Sequence, residues 1–555
     1  MRTVTRLHAA GLLVGLGLLA AHWPAVAQES FPHGVGSGDV TQTSAILWTR
    51  ARMPGEALIE LATDAAFDQT VAQVVVNAVA DDDQIVRIDA TGLQPATRYY
   101  YRFISLETAE ASPTGTFRTA PTAAESRSLR FVYSGDSNAL FRPFTLLRHA
   151  AAEQADFWFW AGDTMYADEV LQSVVPATDL AGFRDRHREN REDEPLRELL
   201  AACPVWAQWD DHELGNDYDG GDLNPRYSEQ QRREAYQAFF EYMPIRRSQA
   251  TGDAFRIYRS FRYGALAEFF ILDCRQYRSR SVQRDGGGLD PRAFILPTLE
   301  LDSIRKMHDP TRTMLGAEQL AWLKENLRTS TARWKFVLSS VPFTSLLIMP
   351  YDRWDGYAAE RYELLRYIDE QRIDGVVLLA ADIHANLYNP DVTQFLRNTL
   401  LQGFSPCFRV PEFVAGPIGV DTLKQSARHF FGRFLDLGPN ETEDSFLFRF
   451  TYDIVAARVA AANGLAFMEP DRFAYLVVDV SEDGVRLTHR GIVSDPIITD
   501  APLETLHSVT LTNPQLPSCA PGILAPLCLC LIAGLQRRPG VNPLRCRRAN
   551  GAGAR

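Results

Sequence analysis

The chain has 555 residues, 46% hydrophobic and 23% charged, with a formal net charge of −12. That length suits two or three domains with a large core, and the composition is that of ordinary globular protein. The acidic balance argues against a nucleic-acid-binding surface, which needs a basic face, but leaves room for an anionic substrate drawn by a few cations focused in one cleft.

The N-terminus carries Arg2 and Arg6 ahead of the apolar run HAAGLLVGLGLLAA and closes on Ala25 and Ala27 in a small-x-small pattern. Residues 1–27 are therefore expected to be a secretory signal peptide cleaved after Ala27; the competing reading is a membrane anchor, for which the run is short. From Phe31 to Thr119, short alternating segments such as SAILWTRA, ALIELATD and TRYYYRFIS recur at sandwich-like spacing. Residues 28–122 are expected to form an all-β domain of fibronectin III/Ig-like type, and TGLQPATRYYYRF resembles the fibronectin type III pattern.

After Leu129 strand-like runs alternate with helical ones: RFVYSGDSN, FTLLRHAAAEQ, DFWFWAGD, EFFILDCR, AEQLAWLKENLRTS, WKFVLSSVPF and GVVLLAADIH. This alternation predicts an α/β domain over 123–500. The stretch from Leu396 to Asn463 reads as an excursion from the main sheet, and FAYLVVDVSEDGVRLTHRG as a terminal hairpin turning at Glu482–Asp483–Gly484. Four of the seven cysteines (Cys519, Cys528, Cys530 and Cys546) sit in the tail, so the body shows no disulfide framework. Residues 517–540 are apolar and then basic, as in a C-terminal sorting tail with transient membrane contact; the alternative is an end with no role.

Four apolar strands end in groups suited to hard cations. RFVYSGDSN ends at Asp136, FWFWAGDTMYAD at Asp163 and Tyr166, VWAQWDDHELGND at Asp210, Asp211, His212 and Asn216, and GVVLLAADIHANL at Asp382 and His384. A lone Gly-Asp after a strand is usually a turn. Four such ends together point to a metal site at the strand C-termini, where α/β active sites lie. No Walker-type loop is present, because RDGGGLD lacks the Gly-Lys-Ser/Thr ending.

The blocks SGDSN, WAGDTMYAD, WDDHELGND, LDCRQYR, WDGY, AADIHANLY and EFVAGPI, spread over Phe31 to Asp495, resemble those of the PhoD-type alkaline phosphatases and phosphodiesterases of the metallophosphoesterase superfamily. The resemblance implies a four-layer αββα sandwich and a dinuclear or trinuclear centre, often Fe(III) with Ca(II). It implies metal ligation by Asp136, Asp163 (bridging), Tyr166 (as phenolate), Asn216, Asp382 and His384. Asp136 stands where some relatives have cysteine, which leaves the iron-site metal open.

By the same resemblance Asp211, His212 and Arg275 are the catalytic candidates. His212 would be a general acid or a phosphate-positioning group, or else a hydrogen bonder behind the ligands. Arg275 would grip phosphate, and Trp354 and Asp355 would bind substrate. Asp168 has no assigned role beyond capping its turn.

The mechanism expected is attack on phosphorus by hydroxide formed on the cations, with no covalent intermediate. The substrate would be a phosphate monoester, a diester or a lipid. The alternatives are a phospholipase D-like phosphodiesterase and a non-catalytic envelope-binding protein. Its expected place is the periplasm or the cell exterior.

Overall fold

The segment Phe-Trp-Phe-Trp at 157–160 is fully buried because it lies between two cores. Alternate residues of a strand point to opposite faces. Trp158 and Trp160 join a core shared with helices, whereas Phe157 and Phe159 join a core shared with a second sheet.

The computed structural model describes residues 29–512 apart from 170–174, 221–226, 248–253, 283–304, 347–351, 395–408, 439–440, 443–444, 496–497 and 499. The expected signal peptide and sorting tail both lie outside the described residues. No described helix is long and apolar enough to cross a membrane.

The strands of the N-terminal segment are β1 (Val35–Gly38), β2 (Ser44–Arg50), β3 (Gly55–Ala62), β4 (Thr70–Ala78), β5 (Ile85–Thr91), β6 (Arg98–Ser105) and β7 (Gly115–Arg118). Then come β8 (Leu129–Ser134), α1 (Leu146–Ala152), β9 (Phe157–Trp160), α2 (Leu180–Arg191), α3 (Glu194–Ala202), β10 (Val205–Ala207) and α4 (Glu229–Tyr242). The second half supplies β11 (Arg259–Tyr263), β12 (Ala267–Ile271), α5 (Gly316–Thr329), β13 (Trp334–Leu338), α6 (Ala358–Glu370), β14 (Val376–Ala380), β15 (Asn386–Asn389) and β16 (Glu412–Val414). The chain closes with α7 (Leu423–Leu435), α8 (Phe446–Asn463), β17 (Phe467–Glu469), β18 (Arg472–Ser481), β19 (Gly484–Val493) and β20 (Glu504–Leu511).

Nine strands form one sheet in the order β20-β19-β18-β8-β9-β10-β1-β2-β5, and seven form another in the order β11-β12-β13-β14-β16-β15-β17. The two sheets face each other across an aromatic seam. In it Phe131 meets Phe269 at 5.2 Å and Phe336 at 5.3 Å, edge to face. Helices α1 to α4 cover the outer face of the first sheet, while α5 and α6 cover that of the second. This is the expected αββα sandwich. The terminal hairpin also forms, with Ser481 paired to Gly484. The excursion expected over 396–463 contains α7 and α8.

The N-terminal segment differs from a freestanding sandwich. Strands β3, β4, β6 and β7 make their own four-stranded sheet, but β1, β2 and β5 extend the large one. The joint is β1 lying parallel to β10, with Gly38 opposite Val205. A Cβ on Gly38 would stand 2.4 Å from the Val205 carbonyl oxygen and 2.5 Å from that of Pro244, so only glycine allows this approach. Strand periodicity alone could not reveal a partner about 170 residues away.

Candidate metal centre

Strands β8, β9 and β10 from one sheet and β12 and β14 from the other run to the same end of the sandwich. Beyond each strand the backbone turns back sharply. Asp136 (φ 65°), Asp163 (φ 48°), Asp382 (φ 68°) and His384 (φ 52°) all take left-handed conformations, which are uncommon for residues with a side chain. Gly162, at φ 108°, makes room for the neighbouring loop, since a Cβ there would lie 2.7 Å from Asp210 Cβ.

Hydrogen bonds lock these turns together. Asp136 N–H donates to Gly162 O at 3.2 Å and Ser137 N–H to Asp163 O at 2.9 Å. Buried Glu213 accepts from Thr164 N–H at 2.6 Å and Asp210 N–H at 2.9 Å, tying the β9 loop to the β10 loop. Asn190, near the end of α2, clamps both metal-facing loops by donating to Ser137 O at 2.9 Å and Thr164 O at 2.7 Å.

The donors converge as overlapping sets. Asp136, Asp163 and His384 place ligand atoms within 4.8 Å of one another, and so do Asp163, Asp211 and His212, and Asp210, Asp211 and Asp382. Asp163 and Asp211 each belong to more than one set. Tyr166 Oη lies 3.3 Å from His384 Nε2. His384 Nδ1 is bonded to the Asp421 carbonyl at 2.7 Å, so it carries the proton and Nε2 turns its lone pair toward the carboxylates. Burial, followed by His212, lowers His384 to about 4 and keeps it neutral.

The carboxylates are mutually repulsive. Burial, then Asp382 and Asp210, push Asp136 well above the usual carboxylate range. Burial, followed by Asp210 and Asp352, pushes Asp382 up to about 8 against the pull of Arg353. Asp136 Oδ2 and Asp211 Oδ1 are buried without a hydrogen-bond partner. Orphaned anionic oxygens beside a neutral imidazole and a phenol fit hard or borderline cations. A Cβ on Gly416 would stand 2.4 Å from Asp136 Oδ2, so the oxygen's position depends on that glycine.

His212 stacks on Tyr166 with ring centres 4.1 Å apart. Its Nδ1 lies 2.6 Å from Asp168 Oδ1. Burial alone would lower His212, but Asp168, Asp163 and Asp211 outweigh it and hold the imidazole protonated. Asp168 also accepts from the backbone N–H of exposed Asn216 at 2.7 Å. The residue left without a role in the sequence thus orients both the histidine and the loop.

Three expected substrate contacts do not fit the geometry. Arg275 is fully buried beneath the carboxylates. It makes a fork on Asp210 at 2.5 and 2.9 Å and reaches Asp352 at 2.8 Å and Asp382 at 3.4 Å. Trp354 is fully buried, stacked on Phe343 at 4.2 Å and donating Nε1–H to Ser339 Oγ at 3.1 Å. Asp355 is consumed by Arg361 at 2.8 Å and Leu346 N–H at 3.1 Å. Between these two inward-facing residues and Asp352 stands Arg353, whose side chain is 12% exposed and whose Nε–H meets Asp382 at 2.8 Å. It is the partly exposed residue of the block that the sequence reading chose. Only the exposure of one residue in four, hidden from sequence, separates it from its neighbours.

An αββα sandwich with these acidic and imidazole donors gathered beyond the strand ends is the architecture of a metallophosphoesterase. Within that class the chain belongs to the PhoD-like phosphatase family, whose model matches residues 131–488; the model of that family's N-terminal domain matches 18–121. It is 32% identical over 398 residues to alkaline phosphatase D of Bacillus subtilis (strain 168), an alignment covering 65% of this chain and 66% of that protein. A solved structure described as that of PhoD overlays with a TM-score of 0.71 at 26% identity, over 89% of this chain and 92% of that one.

Proposed function

We propose that the protein is a metal-dependent hydrolase of phosphate esters. The sharing of Asp163 between two donor sets, beside the partnerless oxygens of Asp136 and Asp211, carries this reading. Asp136, Asp163, Tyr166 and His384 would hold one cation, and Asp163, Asp210, Asp211 and Asp382 another. When bound, such cations supply Lewis acidity toward phosphoryl oxygens and acidify water. Tyr166 as a phenolate favours Fe(III), with Ca(II) suited to the all-carboxylate side. The leader at 1–27 would place the enzyme outside the cytoplasm.

The chain's own residues divide the remaining work. His212, held by Asp168, donates a proton to the departing ester oxygen. Arg353 at the mouth screens charge on the phosphoryl group, and Arg275 keeps Asp210 and Asp382 in register from below. Purified protein is expected to hydrolyse p-nitrophenyl phosphate or its bis ester and to lose that activity with chelator; no turnover of either ester with metal confirmed by elemental analysis would remove the proposal. The relative rates on the two esters, and on a phospholipid, assign the substrate class.

The proton-donor role of His212 has a separate signature. His212→Asn is expected to slow an alkyl phosphate by roughly 10²-fold or more but p-nitrophenyl phosphate far less, because a nitrophenolate leaves without a proton. Metal content should stay unchanged. Loss of metal instead would make His212 a ligand, as its place with Asp163 and Asp211 also permits.

A further inference from the structure

On this acidic protein one cleft gathers arginines. It measures about 810 Å³ and lies where the N-terminal strands meet α2. Arg50, Arg52, Arg142, Arg186 and Arg188 line it together with His33. The carboxylates on its wall are Asp83, Asp185, Glu189 and Glu192. Asp83 is shared between Arg50 at 3.0 Å and Arg188 at 2.5 Å, Arg188 also pairs with Asp185, and Arg142 and Arg186 pair with Glu189 and Glu192, which leaves Arg52 as the guanidinium in excess.

Arg52 meets no carboxylate among the described residues; its Nε–H goes to the Glu29 carbonyl at 2.8 Å. Behind the wall the imbalance grows. Arg197 spends its Nη1 on the carbonyls of Pro32 and Glu192, at 3.3 and 3.0 Å. Arg191 is fully buried, and its Nε and Nη1 have no partner. His33 is 7% exposed, and its Nδ1 is also without a partner. Burial, then Arg50, Arg191, Arg188 and Arg197, lower His33 to about 3, which reports the same positive field.

The cleft neighbours the metal centre through helix α2. Arg186 and Glu189, which line it, also line the narrow gap beside Tyr166 and Asn138. Both sit on α2, the helix whose Asn190 holds the Asp136 and Asp163 loops. Guanidinium forks bind phosphoryl oxygens in preference to other anions.

We infer that this cleft is a second phosphate subsite, which takes a phosphoryl group of an extended polyanionic ester other than the one being hydrolysed. The inference deepens the phosphoesterase reading and rests on it. The N-terminal segment then acts in substrate selection, supplying His33, Arg50 and Arg52 to one wall while α2 supplies the other.

The test is calorimetric titration of the metal-loaded full chain with a medium-chain linear polyphosphate and, separately, with orthophosphate. Polyphosphate spans both subsites and should bind more tightly than orthophosphate. The ratio of the two affinities should fall about tenfold in Arg52→Glu and by less in Arg52→Gln, as expected for removal and reversal of one charge at a partly exposed site. The Arg52 side chain makes a single hydrogen bond, to a backbone carbonyl, so neither variant threatens the fold. An unchanged ratio in Arg52→Glu would overturn the inference. Two orthophosphates bound per chain, one of them lost in Arg52→Glu, would make the cleft a site for the free ion and overturn its link to substrate. Binding is read without turnover, so an inactive protein would refute the phosphoesterase reading separately.

Discussion

Asp163→Asn is expected to lower kcat/KM by roughly 10³-fold or more, equivalent to about 4 kcal/mol of transition-state stabilisation, and to strip metal from the protein. The size of the effect follows from sharing. The carboxylate sits in two donor sets at once, so its loss should weaken both proposed cation positions. Its Oδ1 also accepts the His212 backbone N–H at 3.2 Å, which an asparagine carbonyl can replace, so the loop should keep its place.

The stability of this variant moves the other way. Burial, with repulsion from Asp211, Asp210 and Glu213, holds the Asp163 carboxyl well above its ordinary value despite His212. A carboxyl whose folded pKa is raised loses stability as pH climbs from its unfolded pKa toward the folded one. At neutral pH without cation it therefore opposes folding, and the asparagine removes that opposition. In chelator Asp163→Asn should melt no lower than wild type. Retained activity with retained metal would refute the shared-ligand role, whereas a lower melting point in chelator would show that the loss was one of folding.

The layers were legible because period and burial leave a trace in composition. Phe-Trp-Phe-Trp, short, aromatic and closed by Gly162–Asp163, reads as a strand covered on both sides, and its end is where a backbone turns and a carboxylate emerges. Asp136, Asp163, Tyr166 and His384 stand out as candidate donors for the same reason, each a polar residue just past the end of an apolar strand. What sequence cannot rank is how deeply a charged residue sits. Arg275 and Arg353 are both arginines beside aspartates, but Arg275 is fully buried and its neighbour reaches the mouth. Trp354 and Asp355 matched a pattern whose spacing says nothing of which way a short turn faces. Glu213 and Asp168 went without a role because their partners, Thr164 and His212, lie 49 and 44 residues away. Glu213 did carry a signal, standing next to His212 in a strand-end loop where a third acid had no surface reason to be.

Arg275→Met should cost the metal-free protein about 3–5 kcal/mol of stability, the range for breaking a buried ion network by removing one partner. The guanidinium is enclosed by Asp210, Asp211, Asp352 and Asp382. Methionine fills the volume but leaves these carboxylates facing one another. Arg278 retains Asp352 at 2.7 Å and Arg353 retains Asp382 at 2.8 Å, so the network should loosen around Asp210 first. Because Asp210 is proposed to hold the second cation, metal content and kcat should fall together while KM stays near its wild-type value. A phosphate-gripping arginine predicts the reverse: KM and the inhibition constant of phosphate would rise, and the melting temperature would hold. Urea unfolding in chelator, read beside steady-state kinetics in saturating metal, separates the two. The same pair of measurements on Arg353→Met should show KM raised together with a smaller loss of stability than in Arg275→Met, because that side chain is 12% exposed yet still pairs with Asp382.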